Sequence, residues 1–227
     1  MNKVTYADLG LKDYKETWDF QIDLQKKIIE AKTEQSRGDN INYLLFVEHP
    51  HVYTLGKSGK ENNLLIQNSV LKSIQASFYK IDRGGDITYH GPGQLVGYPV
   101  FDLEAFRIGI KDYIKKLEES IILTLAEFGV ASSKLEGATG VWVDINNPKR
   151  VRKICAIGVK VSRSVTMHGF ALNVNTDLNY FRYINPCGFI DKGVTSLEKE
   201  LGKPQPMDKV KRILLNNLER TFHFVRV

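Results

Sequence analysis

Residues 83–100, RGGDITYHGPGQLVGYPV, place an arginine, two adjacent glycines and a histidine within eight positions. Gly84 and Gly85 tolerate positive φ and let a ligand approach the main chain with no Cβ in the way. Backbone N–H groups presented in this manner bind a carbonyl oxygen or an oxyanion. Arg83 either holds a carboxylate or phosphate, or orders the loop. Gly91-Pro92-Gly93 is a stiff turn that returns the chain into an apolar strand. A purely structural loop between two strands accounts for the same composition.

Two phosphate-binding patterns fail here. GKSG at Gly56–Gly59 has the tail of a P-loop, but His51 stands where the first glycine of the cradle belongs. GPGQLVG does not match GxGxxG and leads into strand instead of opening a helix. His90, His168, Cys155 and Cys187 are candidate metal donors by type alone. No CxxC or HxxxH spacing supports them, so no metal is expected. Two cysteines are too few for a disulfide framework, and a cytoplasmic chain keeps both as thiols. Each is otherwise a small buried hydrophobe.

The elements that hold these residues follow from periodicity. Tyr14, Trp18, Ile22 and Ile29, broadened by Leu24, Ile28 and Ala31, fall at helical spacing, with Asp13 and Glu16 as a capping box and SRGDN as the stop. Residues 110–130 form the clearest helix, with Tyr113, Ile114, Leu117, Ile121, Leu125 and Phe128 on one face and Gly129 at its end. Residues 206–222 close the chain as an amphipathic helix, with Val210, Ile213, Leu214 and Leu218 inward. Two short strands are expected around His49-Pro50-His51, and others at ASFYKID, QLVGYPVFDL and TMHGFALNVN. GVWVDINNPKRVRKICAIGVKVSR reads as a hairpin with Lys153–Val161 as its second strand, so Lys153 and Cys155 are expected on one face. LNYFRYINPCG is irregular or a short helix ending at a turn. Uneven alternation with several hairpins predicts an α+β fold with a mixed, largely antiparallel sheet flanked by helices, in one domain over 1–227.

The 227 residues are 42% hydrophobic and 26% charged, ordinary for a soluble protein. No apolar run of about 18 residues predicts a membrane span, and the N-terminus has no signal-like apolar core. A cytoplasmic location is expected. The net charge of +6 comes from basic residues scattered along the chain, which argues against nucleic acid and suits acidic protein partners.

RGGDITYHGPGQLVGYPV, RKICAIGVKVSR, TMHGFALNVN, NPCG and GVTSL occur in that order. Together they closely resemble the octanoyltransferases, the lipoyl(octanoyl) transferases of lipoate synthesis, over roughly Tyr43–Leu197. The resemblance implies the fold of the biotin and lipoate protein ligase catalytic domains. It implies a cofactorless reaction in which an octanoyl group passes from acyl carrier protein to a lysine of an apo lipoyl domain. Expected partners are octanoyl-acyl carrier protein and the lipoyl domains of 2-oxoacid dehydrogenase complexes and the glycine cleavage H protein. Cys187 is then the nucleophile that forms an acyl-thioester, and Lys153 lowers its pKa or moves the proton. Substrate-binding stretches map to Arg83, Gly84, Gly85, Asp86, Ile87, Thr88, Tyr89 and His90, to Ala156, Ile157 and Gly158, and to Gly169, Phe170 and Ala171. His168 is a supporting candidate or a hydrogen-bonded core histidine. Where the family usually has a small apolar residue, this chain has Cys155, expected to pack. Whether Lys153 or a histidine accepts the proton stays open. An ATP-dependent lipoate or biotin protein ligase on the same fold is the alternative, and the NPCG motif argues against it.

Overall fold

The computed structural model describes residues 1–33, 42–185 and 193–227. Twelve strands are described. β1 (Asn2–Leu11), β2 (Tyr43–Glu48), β6 (Gln94–Val100), β7 (Ser133–Leu135), β8 (Ala138–Val143), β9 (Arg152–Ser162), β10 (Val165–Asn173), β11 (Gly193–Val194) and β12 (Phe224–Arg226) make the large sheet. Its order is β12-β1-β2-β6-β10-β9-β8-β7, with β11 added alongside β9. The β1–β12, β1–β2 and β11–β9 pairs are parallel, and the other five are antiparallel. The expected mixed, largely antiparallel sheet is therefore present. β3 (Val52–Leu55), β4 (Ser77–Lys80) and β5 (Ile87–His90) form a second, three-stranded sheet in the order β4-β3-β5.

Strand alternation sends side chains to both faces of the large sheet, and both faces are covered. Leu44 and Phe46 of β2 join the cluster packed by α3 (Ile110–Glu127) and α5 (Met207–Phe222). Leu45 and Val47, one residue out of phase, join Leu24 and Ile28 of α1 (Tyr14–Thr33) on the opposite face. This double coverage explains why β6 and β10 are buried at every position. Two short helices, α2 (Asn68–Ser73) and α4 (Leu197–Leu201), complete the α-helical elements among the described residues.

The amphipathic faces of α3 and α5 lie largely as their spacing predicts: Tyr113, Leu117, Ile121, Leu125, Val210, Leu214 and Leu218 are buried, Ile114 and Phe128 pack at the margin, and Ile213, also expected inward, is only half-buried. α1 is capped by Asp13, whose Oδ1 accepts from Glu16 N at 3.1 Å. Its inward face differs from the apolar stripe expected. Ile22 is 41% exposed, while Gln21 and Gln25 are buried. The sheet surface beneath explains the exchange. Gln25 Nε2 donates to Val165 O at 2.8 Å, and Gln21 Oε1 accepts from His168 N at 2.9 Å, so each amide satisfies a main-chain group of β10. The expected stop at residues 36–40 lies outside the described residues.

β5 occupies part of the stretch expected to be loop. Its cross-strand pairing with β3, from Val52 opposite His90 to Leu55 opposite Ile87, overrides the glycines on either side. β1 had no local signal, because its partners are the remote β2 and the far end of the chain.

Candidate active site

The loop after β4 and strands β5, β6, β8, β9, β10 and β11 enclose a pocket of about 470 Å3, within the usual size of a small-molecule site. Residues 83–88, His90, Lys153, residues 156–158 and residues 168–171 all line it. Stretches remote in sequence thus meet around one cavity. Val96, Ile114, Ile157, Val159, Phe170 and Phe181 make much of the remaining surface apolar.

The Arg83-Gly84-Gly85 loop lies flat on β9. Gly84 N donates to Val159 O at 2.9 Å, and a Cβ at Gly158 would stand 2.9 Å from Gly84 O. Gly85 has φ +89°, where a side chain is strained. Arg83 is buried and donates to Thr54 O at 2.9 Å, Thr54 Oγ1 at 3.1 Å and Gly84 O at 3.0 Å. Of the two roles open to it from sequence, the ordering of this loop is visible in these bonds.

Tyr89 does not reach the pocket. Alternation along β5 turns it into the core of the small sheet, with its ring stacked on Tyr180 at 5.0 Å and its hydroxyl 2.8 Å from His51 Nδ1. The resemblance assigned the whole stretch Arg83–His90 to the substrate wall; of it, Tyr89 alone is not among the pocket-lining residues.

Lys153 and Cys155 do not share a face either. Val141 pairs with Cys155 and Trp142 with Lys153, so Ile154 is an extra residue on β9. This β-bulge re-aims the chain, as bulges beside active sites do. Lys153 turns to the pocket, its Nζ 4.6 Å from the Trp142 ring centroid, a cation–π distance. Cys155 turns into the core between the sheet and α3, fully buried. Burial pushes its thiol pKa far up, so it is held as the neutral, unreactive form. Cys155→Ala is therefore expected to keep catalytic activity and to cost about 1 kcal/mol of stability, the worth of a small core truncation; turnover and thermal denaturation of the variant check both.

Cys187 lies outside the described residues, as do its neighbours in the NPCG motif beyond Asn185. The described residues on either side of that segment are both anchored. Asn185 N donates to Asn63 O at 2.8 Å. Gly193 and Val194 pair with Arg152 and Lys153 and line the pocket.

Three histidines cluster at the pocket: His90 and His168 line it, and His49 stands edge-on behind His90. His168 has φ 62°, uncommon for a residue with a side chain. Its Nε2 is 3.3 Å from Asp82 Oδ1, while Lys160 Nζ is 2.5 Å from Asp82 Oδ2. These bonds, that from His168 foremost, hold the Asp82 carboxyl well below the usual carboxylate range. Burial lowers the pKa of His168. His49, also buried, is pushed down to about 4 by desolvation and spans Lys12 O (2.7 Å) and Tyr98 Oη (2.9 Å). His90 stacks parallel to Tyr14 at 5.8 Å. Tyr14, expected only as a core residue of α1, and Asp82 and Trp142 were not among the expected site residues. Asp82 directly precedes Arg83 and was the one with a positional cue. Among the described residues, no group of three His, Cys, Asp or Glu side chains is arranged to hold a metal ion, and no helix is long and apolar enough to cross a membrane.

Comparison with known proteins decides the family. The model for the lipoyl protein ligase A/B catalytic domain matches residues 13–219. The chain belongs to this family. Within it, the chain is similar to the octanoyltransferase of Cytophaga hutchinsonii, 54% identical over 96% of this chain and 92% of that protein. It is also similar to the octanoyltransferase of Christiangramia forsetii, 55% identical over 98% and 97% of the two chains. Among solved structures, the bi-partite lipoate protein ligase of Thermoplasma acidophilum superposes with a TM-score of 0.72, covering 100% of this chain and 86% of that one at 15% identity. That likeness establishes the lipoyl ligase fold expected from the motifs.

Proposed function

We propose that this chain transfers an octanoyl group from the phosphopantetheine thioester of acyl carrier protein to a lysine of apo lipoyl domains, without ATP or another cofactor. The observation that carries the reading is the similarity to octanoyltransferases at 54–55% identity over nearly the whole of both chains. The pocket agrees with it. An eight-carbon chain gains about 0.8 kcal/mol for each methylene it buries, and Val96, Ile157, Val159 and Phe170 offer the apolar wall.

Cys187 Sγ, as thiolate, attacks the thioester carbonyl, and the phosphopantetheine thiol leaves. The lysine amine of the lipoyl domain then attacks the acyl-Cys187 thioester, an amide forms, and the Cys187 thiolate departs. Thioester to amide is downhill, and a thiolate is both a good nucleophile and a good leaving group. A free thiol has a pKa of about 8.5, so it is mostly protonated at neutral pH. The Lys153 ammonium favours the thiolate, and in its neutral form Lys153 takes the proton released by the amine. Cys187 follows Asn185 by two positions, and β11, which pairs with Lys153, begins six positions after Cys187. The acceptors suited to this reaction are the lipoyl domains of 2-oxoacid dehydrogenase complexes and the glycine cleavage H protein, reached in the cytoplasm.

The test is transfer in the absence of ATP. With octanoyl-acyl carrier protein and an apo lipoyl domain, the lipoyl domain gains one octanoyl mass. Transfer from free octanoate that requires ATP, with none from the thioester donor, would assign the ligase reaction instead.

A further inference from the structure

His90 ends a buried chain of side-chain amides whose direction is fixed by the backbone. Asn173 Nδ2 lies 3.0 Å from Thr195 O, and a carbonyl oxygen only accepts, so the Asn173 amide must donate there. Its Oδ1 then faces Gln94, which donates through Nε2 at 2.9 Å. The same Gln94 Nε2 donates to Tyr89 O at 3.1 Å, a second carbonyl that only accepts. Gln94 Oε1 is left to face His90 Nδ1 at 2.8 Å. That oxygen has no proton to give, so Nδ1 carries the hydrogen. The remaining nitrogen, Nε2, carries the lone pair in the neutral ring, on a residue that lines the pocket. Gln94, Asn173 and His90 are all buried, and neither amide can flip without opposing a donor to a donor or a carbonyl to a carbonyl.

The surroundings keep this imidazole neutral. Burial pushes the His90 pKa down to about 3, and its titratable and charged neighbours His49, Arg83 and His168 all oppose protonation. The ring of Tyr14 covers one face at 5.8 Å, and His49 stands edge-on at 6.0 Å. The far end of the relay is tied to the other side of the site, since Thr195 N donates to Lys153 O at 2.9 Å. One hydrogen-bonded path therefore sets His90 against the strand that carries Lys153.

We propose that His90 Nε2 is a permanent hydrogen-bond acceptor for the attacking primary amine, and that Gln94 and Asn173 are the positioning residues that impose this state. Among the groups that meet in the second half-reaction, the thioester carbonyl and the oxyanion formed from it need donors, which a lone pair cannot supply. Of the substrate groups, the amine is the one that has an N–H to give. A ring so reluctant to charge does not keep the proton. It orients the amine so that the nitrogen lone pair points at the acyl carbon, and the proton leaves by another group. This role rests on the octanoyl-transfer reading. The tautomer does not.

Long-range 1H–15N correlation spectra of the intact protein test the tautomer directly. The His90 ring should show a protonated Nδ1 and an unprotonated Nε2, unchanged across the neutral pH range. The reverse tautomer, or titration near neutrality, overturns the proposal. The role is read from the two half-reactions. His90→Phe keeps a ring against Tyr14 and removes the acceptor. It should slow transfer to the lipoyl domain roughly tenfold more than it slows acylation by octanoyl-acyl carrier protein, the worth of one hydrogen bond. Equal slowing of both steps, or of neither, overturns the role. Gln94→Leu should reproduce the selective slowing. Should the wild type form no acyl-enzyme at all, the octanoyl-transfer reading fails, and the spectra still decide the tautomer.

Discussion

Lys153→Met lowers octanoyl transfer by about 10²–10⁴-fold at neutral pH, the range expected when a positioned proton-transfer group is removed. The methionine keeps a long apolar stem against Trp142, so the loss of the cation–π contact costs stability only about 0.5–1 kcal/mol. The pH dependence separates the two contributions assigned to this lysine. Without the ammonium, the thiol returns toward its free pKa of about 8.5, so its thiolate fraction increases as pH rises through that value. Acylation by the variant should therefore recover with rising pH, whereas transfer to the lipoyl lysine, which also lacks its proton acceptor, should recover less. Single-turnover measurements of the two steps at several pH values check this. A variant with wild-type rates at neutral pH would remove Lys153 from the mechanism.

Gly169→Ala should be among the most destabilising single-methyl changes available in the chain. A Cβ at this position would stand within van der Waals overlap of Gly97 O and 2.8 Å from Pro99 Cδ. The first obstacle is backbone of the neighbouring strand, held by the β6–β10 pairing that sets Phe170 opposite Gly97. It has no rotamer to change, so the two strands must part or shift. Overpacking of this kind costs about 1–3 kcal/mol or more, and each kcal/mol lowers Tm by roughly 2–4 °C in a chain of this size. Gly169 also lines the pocket, so residual folded protein should be catalytically impaired. Gly109→Ala is the matched control, because its Cβ would meet open space. Thermal denaturation of both variants tests the argument, and equal Tm values would contradict it.

The parts of the fold that were legible in sequence are those with a local signal. α3 and α5 announce themselves by apolar residues on one face, and the β8–β9 hairpin by its turn. What escaped depends on pairing between remote segments. β1 becomes a strand because β2 and β12 accept it as a parallel neighbour. The bulge at Ile154 exists only relative to β8, and it reverses the relation of Lys153 to Cys155 that simple alternation predicts. Gln21 and Gln25 look like surface residues until β10 presents main-chain groups for them to satisfy. The same holds for the site. The motif stretches around Arg83, Lys153 and Gly169 were visible one by one, and the structure brings them to one pocket. The direction of the His90–Gln94–Asn173 relay was not visible, because two carbonyls from distant segments set it.

The central claim is that the octanoyl group rests on Cys187 between donor and acceptor. Intact-mass measurement after mixing the protein with octanoyl-acyl carrier protein, with no lipoyl domain present, tests it most directly. The wild type and Cys155→Ala should each gain one octanoyl mass, and Cys187→Ala should gain none. An adduct that persists in Cys187→Ala, or product formation by a wild type that never carries the adduct, would contradict the account.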